Sequence, residues 1–158
     1  MGCNLCFLVT LILVFGYSFG QELPPVACPD NFAYLKLGDR YVGQVSVVLN
    51  GSYTENNLKV ELTVRGVSAL KNVGEIQVSD SGVTVRDKLI KNEKINFQMD
   101  MSSKDVLPKV QRIIVNGETI CQDVPYEPPF TLFTRTMNFY TKSPILAKDK
   151  GEDILGTN

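Results

Sequence analysis

The sequence contains no histidine and no tryptophan among its 158 residues. Without histidine, Ser-His-Asp and Cys-His catalysis are excluded, and the commonest metal ligand is missing. No spacing of Asp, Glu or Cys is typical of a metal site, so we expect no catalytic residue, no metal and no other cofactor. An excess of charge of one sign is also lacking. Because the formal net charge is −1, the overall charge does not favour nucleic acid or an anionic membrane as a partner.

Charged side chains are absent from residues 1–20, which are mostly apolar. Ser18 and Gly20 place small residues at the −3 and −1 positions of a signal-peptidase site. We therefore predict a signal peptide at residues 1–20 and a secreted, extracellular protein whose mature chain begins at Gln21. Two alternatives stay open, an uncleaved signal anchor and an N-terminus acylated at Gly2.

Cysteine is scarce, with four in the whole chain. Cys3 and Cys6 lie inside the predicted signal peptide, so Cys28 and Cys121 are the pair that its cleavage would leave. An even pair in an oxidising compartment favours a structural disulfide, and this one would enclose nearly all of the sequence with strand character.

Short segments of alternating apolar and polar residues, separated by turn residues, dominate the region between the two cysteines. No segment reads as a convincing helix, and residues 83–85 read as a short strand or as part of an irregular segment. The pattern predicts an all-β fold, an Ig-like antiparallel β-sandwich, although the tryptophan of antibody domains is missing. Asn116-Gly117 is typical of a tight hairpin turn. The main predicted strands are 32–36, 41–49, 58–65, 73–78, 95–101, 110–115 and 119–121.

The predicted organisation of the mature chain has four parts. Residues 21–27 form a lead-in and residues 28–122 form the β-sandwich domain. Residues 123–147 are an extension, and the polar residues 148–158 are expected to be disordered. The extension concentrates large apolar side chains, which either pack on the sandwich as an added strand or form a partner-binding surface. These residues are Phe130, Leu132, Phe133, Phe139 and Tyr140.

A single N-glycosylation sequon, Asn50-Gly51-Ser52, lies in a polar stretch between two predicted strands. Asn-Gly is also a turn dipeptide. The two interpretations are compatible because a glycan requires an exposed loop, and we predict that Asn50 is glycosylated in a eukaryotic secretory pathway.

Three stretches together resemble the N-terminal domain of the gastrulation-defective (gd) family of insect serine proteases. They are Cys28-Pro29-Asp30 with Phe32 and Tyr34, Tyr41-Val42-Gly43-Gln44-Val45, and Ile114 to Cys121. The resemblance covers roughly residues 27–122. It implies secretion, a bridge between Cys28 and Cys121, and an accessory or regulatory role near proteases. In that family the domain precedes a chymotrypsin-like protease of a zymogen cascade, but no catalytic residue can be matched here.

The sequence thus leaves two classes of function open. The first is a secreted, non-catalytic binding or regulatory module that engages an extracellular protein, such as a serine protease or its zymogen. The second is a secreted structural protein or a carrier of a small apolar ligand. We expect neither nucleic acid nor, after signal cleavage, a membrane as partner.

Overall fold

A computed structural model describes residues 23–66, 73–101 and 106–141. The predicted signal peptide and disordered tail lie outside these described residues. The described residues contain eight strands and one helix, which confirms the predicted all-β sandwich. In chain order the elements are β1 (Phe32–Leu37), β2 (Arg40–Val47), β3 (Glu55–Arg65), β4 (Gln77–Val78), α1 (Gly82–Lys91), β5 (Ile95–Asp100), β6 (Lys109–Val115), β7 (Glu118–Gln122) and β8 (Phe130–Tyr140).

The strands form two four-stranded antiparallel sheets, which we call sheet A and sheet B. Sheet A has the order β1-β2-β5-β4 and sheet B the order β7-β6-β3-β8. Cys28, before β1, is bonded to Cys121 of β7, so these two edges lie on one side of the sandwich. Arg135 of β8 is hydrogen-bonded to the carbonyl oxygens of Val73 and Gly74, just before β4, so β8 and β4 mark the other side.

The core fills the space between the sheets because every second residue of a strand points to the same face. In β3, Leu58, Val60 and Leu62 point inward and are buried, as the alternation of the sequence predicts. Val45 of β2 and Phe97 of β5 face them from sheet A. Further buried members of this cluster are Phe32, Val47, Leu49, Val64, Ile95, Met99, Met101, Leu107, Ile113 and Phe133.

The predicted Asn-Gly turn joins β6 to β7. Asn116 and Gly117 have φ angles of 52° and 85°, the left-handed values that a two-residue hairpin turn requires. The turn is tied to β3, since the Asn116 side-chain oxygen accepts a hydrogen bond of 2.8 Å from the backbone N–H of Asn57.

The prediction that the chain contains no helix was wrong, because residues 82–91 form α1. Ser81 caps the N-terminus by accepting a hydrogen bond from the Thr84 backbone N–H, and Asn92 ends the helix in the left-handed conformation with φ 55°. These two caps satisfy backbone groups at both helix ends, and they outweigh the β-preference of the valines in the first turn.

The predicted strand at 73–78 is shorter than expected, since only Gln77–Val78 pairs with β5 as a strand. Gly74 approaches β5 closely, and its N–H donates a hydrogen bond of 2.8 Å to the Asp100 carbonyl oxygen. Sheet A is therefore short at its β4 edge.

Strand β8 lies beside β3 and pairs with it along its full 11 residues, from Phe130 opposite Arg65 to Tyr140 opposite Glu55. Within the predicted extension, residues 130–140 thus form an added strand of sheet B. Among the described residues, none of the helical structure is both long and apolar enough to cross a bilayer.

Candidate functional site

The two cysteines singled out from the sequence form a disulfide, with Cα atoms 5.9 Å apart and a sequence separation of 93 residues. Cys121 is buried in the core cluster, and Cys28 packs against it. The bridge is therefore packed against the core and has a structural role.

Asn50 lies at the start of the loop between β2 and β3, and its side chain is exposed. Its side-chain oxygen accepts a hydrogen bond of 2.9 Å from the Ser52 backbone N–H, which fixes a local turn. The amide nitrogen, to which a glycan would be attached, makes no hydrogen bond with any described residue. The turn and the accessible sequon coexist, and glycosylation itself remains a prediction.

The apolar strip of β8 is divided between two faces, as alternation along a strand requires. Phe133 points into the core and is 2% exposed, and Phe139 packs edge-on against Phe97 with ring centroids 6.3 Å apart. Phe130, Leu132 and Tyr140 point outward and are 37%, 51% and 64% exposed. The five residues therefore do not form one continuous surface, and their role in partner binding remains a prediction.

A groove lies at the C-terminal end of β8, and we call it the β8–α1 groove. Its volume is about 900 Å³, within the range of ligand sites in proteins. Helix α1 forms one wall and the end of β8 the other, and the β2–β3 loop closes one end. The apolar lining consists of Val78, Val85, Leu89, Ile90, Phe139 and Tyr140.

A polar cluster beside the groove holds α1 in place. The Asp80 carboxylate accepts hydrogen bonds of 2.7 Å from Lys88 Nζ on the helix and 2.8 Å from the Asn96 backbone N–H on β5. Burial by itself would raise the pKa of Asp80, but the bonds from Lys88 and Asn96 outweigh it and lower the pKa. The carboxylate is therefore charged at neutral pH and links α1 to sheet A.

The groove carries an unbalanced positive charge at its rim. Asp80 and Arg86 are its charged lining residues. Asp80 is paired with Lys88 at 2.7 Å, whereas no described residue forms an ion pair or hydrogen bond with the exposed guanidinium of Arg86. A carboxylate in the groove would thus find a cation without displacing an existing partner.

The wall formed by β8 also has a free strand edge. The Thr141 N–H donates a hydrogen bond to the Thr54 carbonyl oxygen, so Thr141 and Thr54 are a hydrogen-bonded pair. Such pairs alternate with non-hydrogen-bonded pairs in an antiparallel ladder. By this register, Phe139 points its backbone polar groups toward β3, whereas Asn138 and Tyr140 point theirs away from it. The N–H and C=O groups of Asn138 and Tyr140 therefore point to the free edge of β8, and Tyr140 also lines the groove.

A second cavity, beside the disulfide, is much smaller than the groove. It has a volume of about 10 Å³ and is lined by Cys28, Phe32, Tyr34 and Cys121 among others. This is at most the space of one water molecule. No group of three or more acidic or cysteine side chains that could hold a metal ion occurs in the described part of the chain. Of these two spaces, the β8–α1 groove is the one with room for an apolar ligand or a peptide.

Sequence reasoning missed the groove because it missed α1. The local signals were present: Ser81 at the N-cap, Asn92 at the C-cap, and Val85 and Leu89 one helical turn apart on the same face. Lysine in the last turn, at Lys88, is a further helix-end signal. Placing this helix opposite the end of β8 required the three-dimensional fold.

Comparison with known proteins assigns the family. No curated protein and no solved structure matches the chain. The family model described as serine protease gd N-terminus matches residues 26–131, more than half of the chain. The match contains both bridged cysteines and strands β1 to β7, and it confirms the resemblance seen in the sequence. The chain therefore belongs to the serine protease gd N-terminus family.

Proposed function

We propose that this protein is a secreted, non-catalytic module that binds and regulates an extracellular serine protease or its zymogen. The observation that carries the proposal is the family match over residues 26–131, because it relates this domain to the N-terminal part of a serine protease. The disulfide supports an oxidising compartment, in which such bridges persist.

The non-catalytic part of the proposal is supported by side-chain chemistry. The sequence has no histidine to activate a serine or cysteine nucleophile. The charged groups beside the β8–α1 groove are either paired, as in Asp80 with Lys88, or cationic, as in Arg86. This arrangement favours binding of an anionic group and offers no general base.

Binding is supported by the surface around β8. Phe130, Leu132 and Tyr140 expose large apolar side chains on the outward face of an edge strand, and the apolar groove begins at its end. Edge strands and grooves of this kind are common elements of protein recognition. The region belongs to a single disulfide-bonded domain, so we expect the contact surface to be rigid before binding.

The test is capture of a serine protease or its zymogen by the immobilised chain. The mature chain, residues 21–158, is immobilised and incubated with extracellular fluid of the source before and after zymogen activation. Bound proteins are eluted, labelled with a fluorophosphonate that reacts with activated serines, and identified by mass spectrometry. We expect a chymotrypsin-like protease or its zymogen in the eluate.

Two variants provide a matched control for this capture. Leu132→Asp changes an exposed leucine of β8, and Leu37→Asp changes an exposed leucine of β1 on the opposite side of the sandwich. Capture should fall with Leu132→Asp and stay unchanged with Leu37→Asp. Absence of any serine protease from the wild-type eluate would overturn the protease partnership. Peptide hydrolysis that co-purifies with the chain through every step would overturn the non-catalytic assignment.

A further inference from the structure

We propose that the β8–α1 groove binds an extended peptide segment of the partner, which adds as a strand to the free edge of β8 and places a carboxylate beside Arg86. The inference rests on the proposed function only in taking the occupant to be part of another protein. It identifies the chemistry of that occupant as an apolar, strand-forming segment with an acidic residue.

The free backbone edge of β8 favours a peptide as the occupant. At the groove, Asn138 and Tyr140 direct their N–H and C=O groups away from β3, toward the side where sheet B ends. A strand in this position would satisfy those groups with its own backbone, as in strand-addition complexes. A small apolar ligand would cover them without offering hydrogen bonds, and burying unpaired backbone groups is unfavourable. The edge therefore favours a peptide over a lipid.

The two walls of the groove offer apolar contacts to a strand placed between them. A strand alongside β8 would direct every second side chain toward α1, where Val85, Leu89 and Ile90 offer apolar contacts. Phe139 and Val78 form the apolar floor on the side of the core. The groove is thus bounded by a helix and an edge strand, and the β2–β3 loop limits the length of peptide that it can hold at the C-terminal end of β8.

The charge at the rim of the groove favours an acidic residue in the peptide. Within the lining, Asp80 is engaged by Lys88 and by the Asn96 backbone, whereas the Arg86 guanidinium has no partner among the described residues. An acidic side chain of the peptide would pair with Arg86 at the rim of the groove. A basic segment would gain no such contact, so charge complementarity selects acidic peptides.

The experiment uses the mature chain, residues 21–158, and a short fluorescein-labelled peptide that alternates threonine with valine and ends in a glutamate residue. A second peptide replaces that glutamate with glutamine and carries an amidated C-terminus. A third is methylated at the alternate backbone nitrogens that would face β8. Binding is followed by fluorescence polarisation. We expect a dissociation constant on the order of 10–100 μM for the first peptide, about two- to fivefold weaker binding of the second, and loss of binding of the third.

Two exposed apolar residues of α1 provide a matched pair of variants. Ile90 lines the groove and is 72% exposed, whereas Val83 is 75% exposed on the same helix but does not line it. Ile90→Glu should weaken peptide binding about tenfold, and Val83→Glu should leave it unchanged. Arg86→Gln should remove the preference for the carboxylate over the amidated peptide.

Residue-resolved amide exchange by NMR separates strand addition from other modes of binding. On saturation with the first peptide, the amides of Asn138 and Tyr140 should exchange at least about tenfold more slowly. The Phe139 amide should change little, because its N–H already faces β3. An alternating pattern of this kind is specific to a strand paired at this edge.

Several outcomes would overturn the inference. No binding of the carboxylate peptide at about 1 mM would exclude the proposed occupant. Binding without protection of Asn138 and Tyr140 would indicate a ligand that does not pair with β8. If the amides of Asn138 and Tyr140 are already protected from exchange in the peptide-free protein, the chain's own residues occupy the groove. If their protection rises with protein concentration, a second copy of the chain occupies it.

Peptide binding by a chain that captures no protease would overturn only the protease partnership. Protease capture unaffected by Ile90→Glu would place that partner elsewhere.

Discussion

Arg135 of β8 donates a hydrogen bond of 2.7 Å to the carbonyl oxygen of Val73, across the gap between the two sheets. A second bond of 3.2 Å reaches the Gly74 carbonyl oxygen. The disulfide ties the sheets together on the β1–β7 side, and Arg135 does so on the β4–β8 side, where sheet A has a strand of only two residues. The sandwich is thus linked at both of its open sides.

Replacing Arg135 with methionine, which keeps much of the side-chain length, should lower the free energy of unfolding by about 2 kcal/mol. The physical reason is that the carbonyl oxygens of Val73 and Gly74 would lose charged donors in a partly buried setting. Urea denaturation of the variant and the wild type measures the change. Arg65→Met serves as the control, because Arg65 is exposed and its guanidinium stacks on the Tyr126 ring at 5.0 Å, away from this gap. Equal stability of both variants and the wild type would contradict the role assigned to Arg135.

Gly43 is required by close packing at the centre of β2. A Cβ atom built on it would lie 2.9 Å from Cε2 of Phe32, and it would also overlap the terminal methyl of Met101. Gly43→Ala should therefore destabilise the fold by about 1–3 kcal/mol, because both neighbours are buried and have little room to move. Thermal melting measures the effect. Gly82→Ala is the matched control, since nothing lies within 4 Å of its Cβ position and alanine favours a helix. A wild-type melting temperature for Gly43→Ala would contradict this account.

Glu61 gives the domain a predictable response to acid. Its buried carboxylate accepts hydrogen bonds from Lys59 and Arg112, and these bonds lower the pKa of Glu61 below its ordinary value. A carboxyl group in an unfolded chain has a pKa of about 4.3, so protons bind the unfolded state more readily. The stabilisation is therefore complete above that pH and is lost as the pH falls through the lower pKa of the folded state.

Urea denaturation between about pH 7 and pH 3 tests this response. Glu61→Gln should lower the free energy of unfolding at neutral pH by about 2 kcal/mol and reduce its fall in acid. Glu118→Gln, at an exposed glutamate of β7, should leave the pH profile as in the wild type. A Glu61→Gln profile parallel to that of the wild type would show that Glu61 does not carry the acid response.

The disulfide should contribute strongly because it closes a long loop. With a sequence separation of 93 residues, the chain-entropy relation gives about 4–5 kcal/mol for the bridge. The double variant Cys28→Ala/Cys121→Ala avoids free thiols and should show this loss in urea denaturation. Reduction of the wild type with dithiothreitol should give a similar loss. A reduced wild type with the midpoint of the oxidised protein would contradict the prediction.

Sequence patterns predicted the parts of the fold that depend on short-range periodicity. Leu58, Val60 and Leu62 alternate with polar residues, so the buried face of β3 follows directly from their spacing. The helix over residues 82–91 was harder to predict because Val83 and Val85 favour strands. The signals that indicate the helix are single capping residues. The caps outweighed the β-branched pair because they satisfy backbone groups that would otherwise be unpaired.

The groove and the free edge could not be predicted from local patterns. Both depend on the order of strands in sheet B, in which β8 pairs with β3 rather than with its neighbour in sequence, β7. That order leaves β8 at the edge of sheet B, where Tyr140 lines the groove together with Leu89 of α1. Nothing in the composition of residues 130–140 distinguishes a strand buried between two others from a strand at an edge.

The division of the β8 strip into two faces gives the last prediction. Phe133 and Leu132 are adjacent on β8 but are 2% and 51% exposed. Phe133→Ala should lower the free energy of unfolding by about 3–5 kcal/mol, because it leaves a cavity among buried side chains. Leu132→Ala should change it by less than about 1 kcal/mol, since its side chain already contacts solvent. Urea denaturation measures both variants.

The same pair separates packing from recognition. Because Leu132→Ala is expected to preserve the fold, a loss of partner capture by that variant would report a contact of the outward face and not a loss of stability. Phe133→Ala should lower capture only in proportion to the unfolded fraction, and ligand-free denaturation curves give that fraction. A large loss of stability for Leu132→Ala would mean that the outward face of β8 is part of the core. A stable Phe133→Ala variant would contradict the assignment of Phe133 to the core between the sheets.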